Sequence, residues 1–147
     1  MKKIGSYTAR GQMKSGETQR IALFDGSFDT GYVVTKFYMI ISDPDNSGVD
    51  CYGVLSTQED TGQNWNLNRG QQIGWASMYA AGSATGPQAF PFNLVDRDNL
   101  VIEDLYIYAE TNASAADCNY YIEMDKYEFT TSRGALAMVR NKQQGQD

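Results

Sequence analysis

The chain has 147 residues, a net charge of −6 at neutral pH and no histidine. This length suits one domain with its own core, and 41% hydrophobic and 12% aromatic residues argue against wholesale disorder. The acidic balance argues against binding to nucleic acid or to an anionic membrane surface. Without histidine the chain lacks the commonest metal ligand and the usual acid–base group near neutral pH, so we expect no cofactor.

The first third of the chain predicts strands separated by polar turns. Residues 1–16 are polar and contain three glycines, so they predict either a short edge strand or an N-terminal arm that orders against a neighbour. Residues 17–24 alternate between apolar and polar side chains, which is typical of a strand. Residues 25–31 form a tight loop around an Asp-Gly pair. Residues 32–42 are apolar on nearly both faces and predict a central strand.

A polar turn over residues 43–48 ends that strand, and residues 49–56 resume the alternation, so we expect the two runs to pair across the turn. The turn is also a weak candidate for a calcium loop, because its side chains offer several hard oxygen ligands. The candidate ligands are Asp43, Asp45, Ser47 and Asp50. An EF-hand spacing would need a glutamate at position 54, which is Val54. A hairpin turn stabilised by its own side chains is therefore favoured, and we predict no bound metal.

The middle of the chain carries both tryptophans. Residues 57–70 form a long polar connection around Trp65, which predicts a folded-back loop or a loop that binds something. Residues 71–81 predict a strand that contains Trp75, and residues 82–91 predict a loop rich in glycine and proline. The two indoles are a possible platform for stacking on sugars, although aromatic side chains on strands belong more often to a core or an interface.

The strongest strand signal is Asp98–Thr130. Two aromatic, β-branched runs, residues 100–109 and 118–129, flank a small turn-forming segment. This pattern predicts a long antiparallel hairpin at the centre of the fold.

Carboxylates on these runs raise the alternative of glycoside hydrolysis, which uses a pair of acids. The acids are Glu103, Asp104, Glu123 and Asp125. Alternation places Glu103 and Asp104 on opposite faces, so a solvated or subunit-facing surface is the better interpretation. We therefore predict no catalytic residue and no enzyme.

The chain contains more tyrosine than one small core hides easily, which predicts that some of it faces a partner. A basic tail over residues 131–147 predicts a short helix or an extended segment that docks on a neighbouring subunit. Its three cations within ten residues are too few for nucleic-acid binding. The residues predicted to contact a partner are Tyr106, Tyr108, Tyr121, Tyr127, Arg133, Arg140 and Lys142.

Cys51 and Cys118 both lie within predicted strands, which favours two reduced core thiols over a single disulfide. The chain as a whole shows seven or eight strand candidates, no internal repeat and no linker. It therefore predicts an all-β fold, a single antiparallel β-sandwich of jelly-roll type spanning residues 1–147.

Four segments resemble small structural proteins of tailed phages of aquatic bacteria. They are LFDGSFDTGYVVTKFYM, SDPDNSGVDCYGVLST, VDRDNLVIEDLYIYAE and NYYIEMDKYEFTTSRGALAMVRNKQQ. The resemblance implies a virion structural protein, most simply a capsid decoration or cement protein on the capsid exterior. Its implied partners are the major capsid protein and further copies of itself, in a homo-oligomer. We expect no signal peptide, since no apolar stretch follows Met1–Lys3, and synthesis in the host bacterial cytoplasm.

A carbohydrate- or receptor-binding module of a phage fibre or tail is the alternative. It requires an exposed aromatic platform that includes Trp65 or Trp75. A hydrolase that uses carboxylate pairs is the weakest of the three hypotheses.

Overall fold

The computed structural model describes residues 1–43, 48–83, 86–112 and 117–129, together with Leu136. Within these ranges the fold is an antiparallel β-sandwich, which confirms the predicted all-β class. One sheet has three strands in the order β1-β8-β3, and the other has five in the order β2-β7-β4-β5-β6. The strands are β1 (Lys2–Lys14), β2 (Glu17–Ile21), β3 (Thr30–Ile41), β4 (Val49–Ser56), β5 (Gln72–Ser83), β6 (Gly86–Val95), β7 (Leu105–Thr111) and β8 (Asp117–Glu128). The jelly-roll arrangement stays a prediction. The strand order departs from it at β6, which is hydrogen-bonded to β5 in the five-stranded sheet and leaves the other sheet with three strands.

The core lies between the two sheets and is built from alternate residues of the strands. Phe37, Leu55, Ile107 and Ile122 are fully buried there. Gly53 lets the sheets approach closely, because a Cβ at this position would lie 2.7 Å from the Met39 sulfur. Period-two alternation therefore decides which side chains fill the core, as the sequence of β4 predicts.

The predicted pairing of β3 with β4 is wrong. Among the described strands, β3 pairs with β8, whereas β4 pairs with β5 and β7 in the opposite sheet. The chain crosses from one sheet to the other between Ile41 and Val49. A polar turn between two alternating runs is equally compatible with a hairpin and with such a crossing, so alternation alone does not identify the partner strand.

The predicted hairpin over Asp98–Thr130 is wrong for the same reason. β7 lies between β2 and β4, and β8 lies between β1 and β3 in the other sheet. Each strand is central in its own sheet, but the two do not pair with each other. β7 begins only at Leu105, because the preceding residues cross the end of the sandwich, where Val101 forms an isolated antiparallel bridge with Tyr32.

Two further predictions change at the edges of the sheets. Within the segment 82–91, predicted to be a loop, residues 82–83 belong to β5 and residues 86–91 to β6, and the edge position of β6 tolerates prolines that lack a donor N–H. The first residues are not a free arm, because β1 pairs with β8 along Lys2–Lys14. The predicted C-terminal tail, residues 131–147, lies outside the described residues except for Leu136.

The two cysteines are buried and free, which confirms the interpretation as reduced thiols. Burial raises the pKa of Cys51 to about 12 and that of Cys118 to about 11, so both hold their protons at neutral pH. The described part of the chain contains no helix that is long and apolar enough to cross a membrane.

Candidate functional site

The outer faces of the two sheets differ in chemistry. On the outer face of the three-stranded sheet, polar side chains bond one another within a strand and between neighbouring strands. These contacts are Ser6 to Asp125 at 2.9 Å, Gln12 to Asn119 at 3.0 Å, Tyr121 to Glu123 at 3.1 Å and Lys36 to Glu123 at 3.1 Å. A surface of this kind is suited to contact with water.

The outer face of the five-stranded sheet is aromatic and partly exposed. Tyr52 on β4, Tyr79 on β5, three apolar residues of β6 and Trp65 from the preceding loop form what we call the aromatic face. The exposed members are Phe90 at 57%, Phe92 at 49%, Tyr79 at 46%, Leu94 at 44% and Trp65 at 37% of their surface. Isolated exposed apolar residues are normal, but a contiguous group of them on one surface marks a site of interaction.

The rings of the aromatic face are stacked in pairs. Strand register places Phe90 opposite Tyr79, and their rings stack with centroids 6.4 Å apart. The Trp65 indole stacks on Phe92 at 5.6 Å and meets Tyr52 edge-on at 6.3 Å. These contacts hold the rings in place before any partner binds, which reduces the entropy lost on binding.

The aromatic face also belongs to the least charged part of the chain. Residues 70–95, which include all of β5 and β6, contain no Asp, Glu, Lys or Arg, although the whole chain carries a net charge of −6. The hairpin therefore presents a neutral apolar surface on an acidic protein.

The side-chain amide of Gln72 holds the loop that carries Trp65. Its nitrogen donates to the carbonyl oxygens of Thr61 at 2.9 Å and Asn64 at 3.0 Å. Its oxygen accepts from the backbone N–H of Asn66 at 2.9 Å and from the indole N–H of Trp75 at 3.1 Å. Gln72 is itself buried, so these four hydrogen bonds use the donors and the acceptor of a group that water does not reach.

A carboxylate anchors the other side of the aromatic face. Glu110 on β7 accepts hydrogen bonds from the hydroxyl groups of Tyr52 and Tyr108, the latter at 3.2 Å. Burial raises the pKa of both phenols, and the neighbouring Glu110 raises them further. The pair of bonds fixes the Tyr52 ring against Trp65.

The structure separates the two tryptophans predicted to form a platform. Trp65 is exposed on the aromatic face, whereas Trp75 is only 5% exposed and packs with Val54 and Tyr108. The prediction for Trp75 is therefore corrected, because its strand neighbours and the loop held by Gln72 cover the indole.

The predicted interface tyrosines do not form one surface. Tyr106 and Tyr108 lie on the outer side of β7, but Tyr108 is buried and cannot contact a partner. Tyr121 lies on the polar outer face of the opposite sheet, and Tyr127 is half-buried near the end of β8. Arg133, Arg140 and Lys142 lie outside the described residues.

The candidate calcium loop lies only partly within the described ranges. Asp43 is exposed at the end of β3 and Asp50 is half-buried in β4, while Asp45 and Ser47 lie outside those ranges. The described residues bring together no group of three or more His, Cys, Asp or Glu side chains that could hold a metal.

The candidate carboxylates likewise have structural roles. Asp104 accepts from the backbone N–H groups of Leu23 and Phe24 and pairs with Arg20 at 3.2 Å. Glu123 and Asp125 belong to the polar contacts of the three-stranded sheet.

Sequence reasoning missed the β6 part of the aromatic face. It assigned Phe90 to a loop, although Phe90, Phe92 and Leu94 recur at the period of a strand face. The complete lack of charge over residues 70–95 was a second available signal. A comparison with protein-family models finds no match for the chain, and a comparison with curated proteins finds none either.

We predict that Gln72→Glu releases the Trp65 loop. The carboxylate would face the carbonyl oxygens of Thr61 and Asn64 with no hydrogen to donate, which we expect to cost roughly 3 kcal/mol in the free energy of unfolding. Urea unfolding measures the loss, and acrylamide quenching of fluorescence reports increased access to Trp65. The control is Gln12→Glu, which adds the same charge at an exposed amide; an equal loss in both variants would contradict the role of Gln72.

We also predict that Tyr52 makes stability fall at alkaline pH. A phenol whose pKa is raised by folding contributes stability below its unfolded pKa of about 10, and this stability is lost as the pH rises through the higher folded value. Urea unfolding between about pH 9 and pH 12 should therefore show a shallower decline for Tyr52→Phe than for the wild type. Tyr7→Phe, which removes an exposed hydroxyl, should keep the wild-type decline; identical curves for all three proteins would contradict the assignment.

Proposed function

We propose that this chain is a structural protein of a virus particle, a capsid decoration or cement protein that stabilises a shell through subunit interfaces. The observation that carries the proposal is the aromatic face, a neutral apolar surface on one side of an acidic sandwich. Exposed apolar surface of this extent is unfavourable in water and becomes favourable when a protein partner covers it. The viral setting rests on the resemblance of the four segments quoted above.

The difference between the two outer faces supports the proposal. The polar contacts of the three-stranded sheet suit the side of a particle that meets solvent. The aromatic face, on the opposite side of the sandwich, suits a surface buried between subunits. Its rings are already stacked and its loop is held by Gln72, so a partner binds a preformed surface. A modest interface of this kind becomes strong when it repeats over many positions of a shell.

The proposal also assigns a partner to the basic tail. Arg133, Arg140 and Lys142 provide positive charge on an acidic chain. We propose that the tail contacts the major capsid protein while the aromatic face is buried between subunits.

A particle reconstruction combined with re-addition of purified protein tests the proposal. We expect regular density for this chain on the shell, and we expect wild-type protein to bind particles from which it has been stripped. Phe92→Ser should weaken that binding at least about tenfold, since a buried aromatic side chain is worth more than 1.4 kcal/mol at an interface. The matched control is Phe28→Ser, because Phe28 is similarly exposed but lies in the loop between β2 and β3.

Two results would overturn the proposal. One is a virus particle on which the chain is absent, or on which it is found only on the tail of the phage. The other is equal binding by Phe92→Ser and wild-type protein, which would remove the aromatic face from the interface.

A carbohydrate-binding module is the second candidate, and one observation favours it. Trp65 is exposed in a loop between Asn64 and Asn66, an arrangement that offers a ring for stacking beside amide groups for hydrogen bonding. Against it, the faces of Trp65 and Phe92 are already stacked on each other, with an angle of 25° between their planes. That stacking leaves less free ring surface for a sugar.

Tryptophan fluorescence separates the two candidates. Neutral oligosaccharides such as cellohexaose and maltohexaose, and the purified surface polysaccharide of the host, serve as probes. The assembly proposal predicts no change in Trp65 emission on titration, with buried Trp75 as the internal reference. A saturable change would instead support a glycan site, and isothermal titration calorimetry should then show binding that is lost in Trp65→Ala and retained in Trp65→Phe.

A further inference from the structure

We infer that the partner of the aromatic face is a second copy of the same chain, bound face to face in a homodimer. This deepens the proposed assembly function, because it names the occupant of that interface. The inference rests on the charge of the face, on its area and on the condition of the sheet edges.

The distribution of charge favours a second copy of the chain as the partner of the aromatic face. Two copies that each carry −6 repel one another over most of their surfaces. The repulsion is weakest where the charge is absent, and residues 70–95 form the hairpin that carries most of the aromatic face. A cationic partner would be drawn to the acidic remainder of the protein, whereas a neutral apolar surface best matches another neutral apolar surface.

The area of the face agrees with that of a stable dimer interface. Its five most exposed side chains leave between 37% and 57% of their surface in water. A large side chain buries roughly 150–250 Å² when it is completely covered, so these five offer on the order of 350–600 Å². A standard interface buries about 800 Å² on each partner, and the polar residues around the face supply the difference.

The sheet edges argue for packing through the face and against joining strand to strand. β6 contains Pro87 and Pro91, which cannot donate backbone hydrogen bonds to an added strand. One of the two outer strands of the other sheet, β1, is lined with exposed cations that discourage pairing with itself. These cations are Lys2, Lys3, Arg10 and Lys14.

A surface that meets itself has twofold symmetry, and this makes a residue near its centre meet its own copy. Phe92 lies near that centre, between Phe90 and Leu94 on β6 and stacked on Trp65, and its register partner Ser77 on β5 pairs in turn with Tyr52 on β4. A lysine introduced at position 92 would therefore bring two like charges together, so we expect Phe92→Lys to dissociate the dimer.

The test is the mass of the full chain in solution, measured by light scattering at about 100 μM, where an interface with a micromolar Kd is nearly saturated. We expect twice the chain mass of 16.4 kDa. Phe92→Ser should raise the dissociation constant at least tenfold, while Phe28→Ser should remain dimeric. Near-UV circular dichroism confirms that each variant is folded. Phe92→Lys should be monomeric at the same concentration, because two like charges would meet across the twofold axis.

The outcomes distinguish this inference from the proposed function. A wild-type monomer at this concentration would overturn the inference and leave open a shell protein that binds only the capsid protein. A dimer unchanged by both Phe92→Ser and Phe92→Lys would place the dimer contact elsewhere and overturn the inference too. A dimer that depends on Phe92, from a chain absent from virus particles, would support the inference and overturn the proposed function.

Discussion

The arrangement of the aromatic face depends on one buried amide. Gln72 is the first residue of β5, and its side chain is the common hydrogen-bonding partner of a loop carbonyl at Thr61, another at Asn64, the N–H of Asn66 and the Trp75 indole. The loop between β4 and β5 is long and polar, and it has little apolar surface with which to fold by itself. The amide gives it one conformation by satisfying backbone groups that would otherwise be buried without partners. Trp65 is held over Phe92 as a consequence.

The sandwich has a polar outer face on one sheet and an apolar outer face on the other. On the three-stranded sheet the exposed ion pairs and hydrogen bonds contribute little individually, but they keep that face compatible with water. On the five-stranded sheet, Phe90, Phe92 and Leu94 expose apolar area whose burial releases free energy only when something covers it. The core between the sheets stabilises the molecule, while the two outer faces differ in their affinity for water.

Sequence patterns predicted the strands more reliably than their partners. Alternation in β4 correctly placed Cys51 and Leu55 in the core and Tyr52 outside it, because side-chain direction is a local property of a strand. The partner strands of β7 and β8 were not predictable in the same way, since a turn does not show whether the chain stays in one sheet. Glycine and proline made β6 resemble a loop, although both suit an edge strand.

The candidate site was predictable in part for similar reasons. An aromatic residue isolated in a polar loop pointed to Trp65, which the structure exposes. The burial of Trp75 and Tyr108 follows from cross-strand neighbours, and the role of Gln72 follows from contacts across a loop; neither is encoded in a local pattern.

The strand order also constrains how the chain can fold during synthesis. β8 is the middle strand of the three-stranded sheet, and β1 and β3 are hydrogen-bonded through it, so Lys2 pairs with Glu128. The first and third strands to leave the ribosome must therefore wait for the eighth, and half of the sandwich stays open until then. Such long-range pairing slows folding and leaves the apolar faces of β3 and β4 exposed to other nascent chains. A chain interrupted before Asp117 would lack the strand on which that whole sheet is built, so proteolytic clearance of unfinished copies would protect the cell from their aggregation.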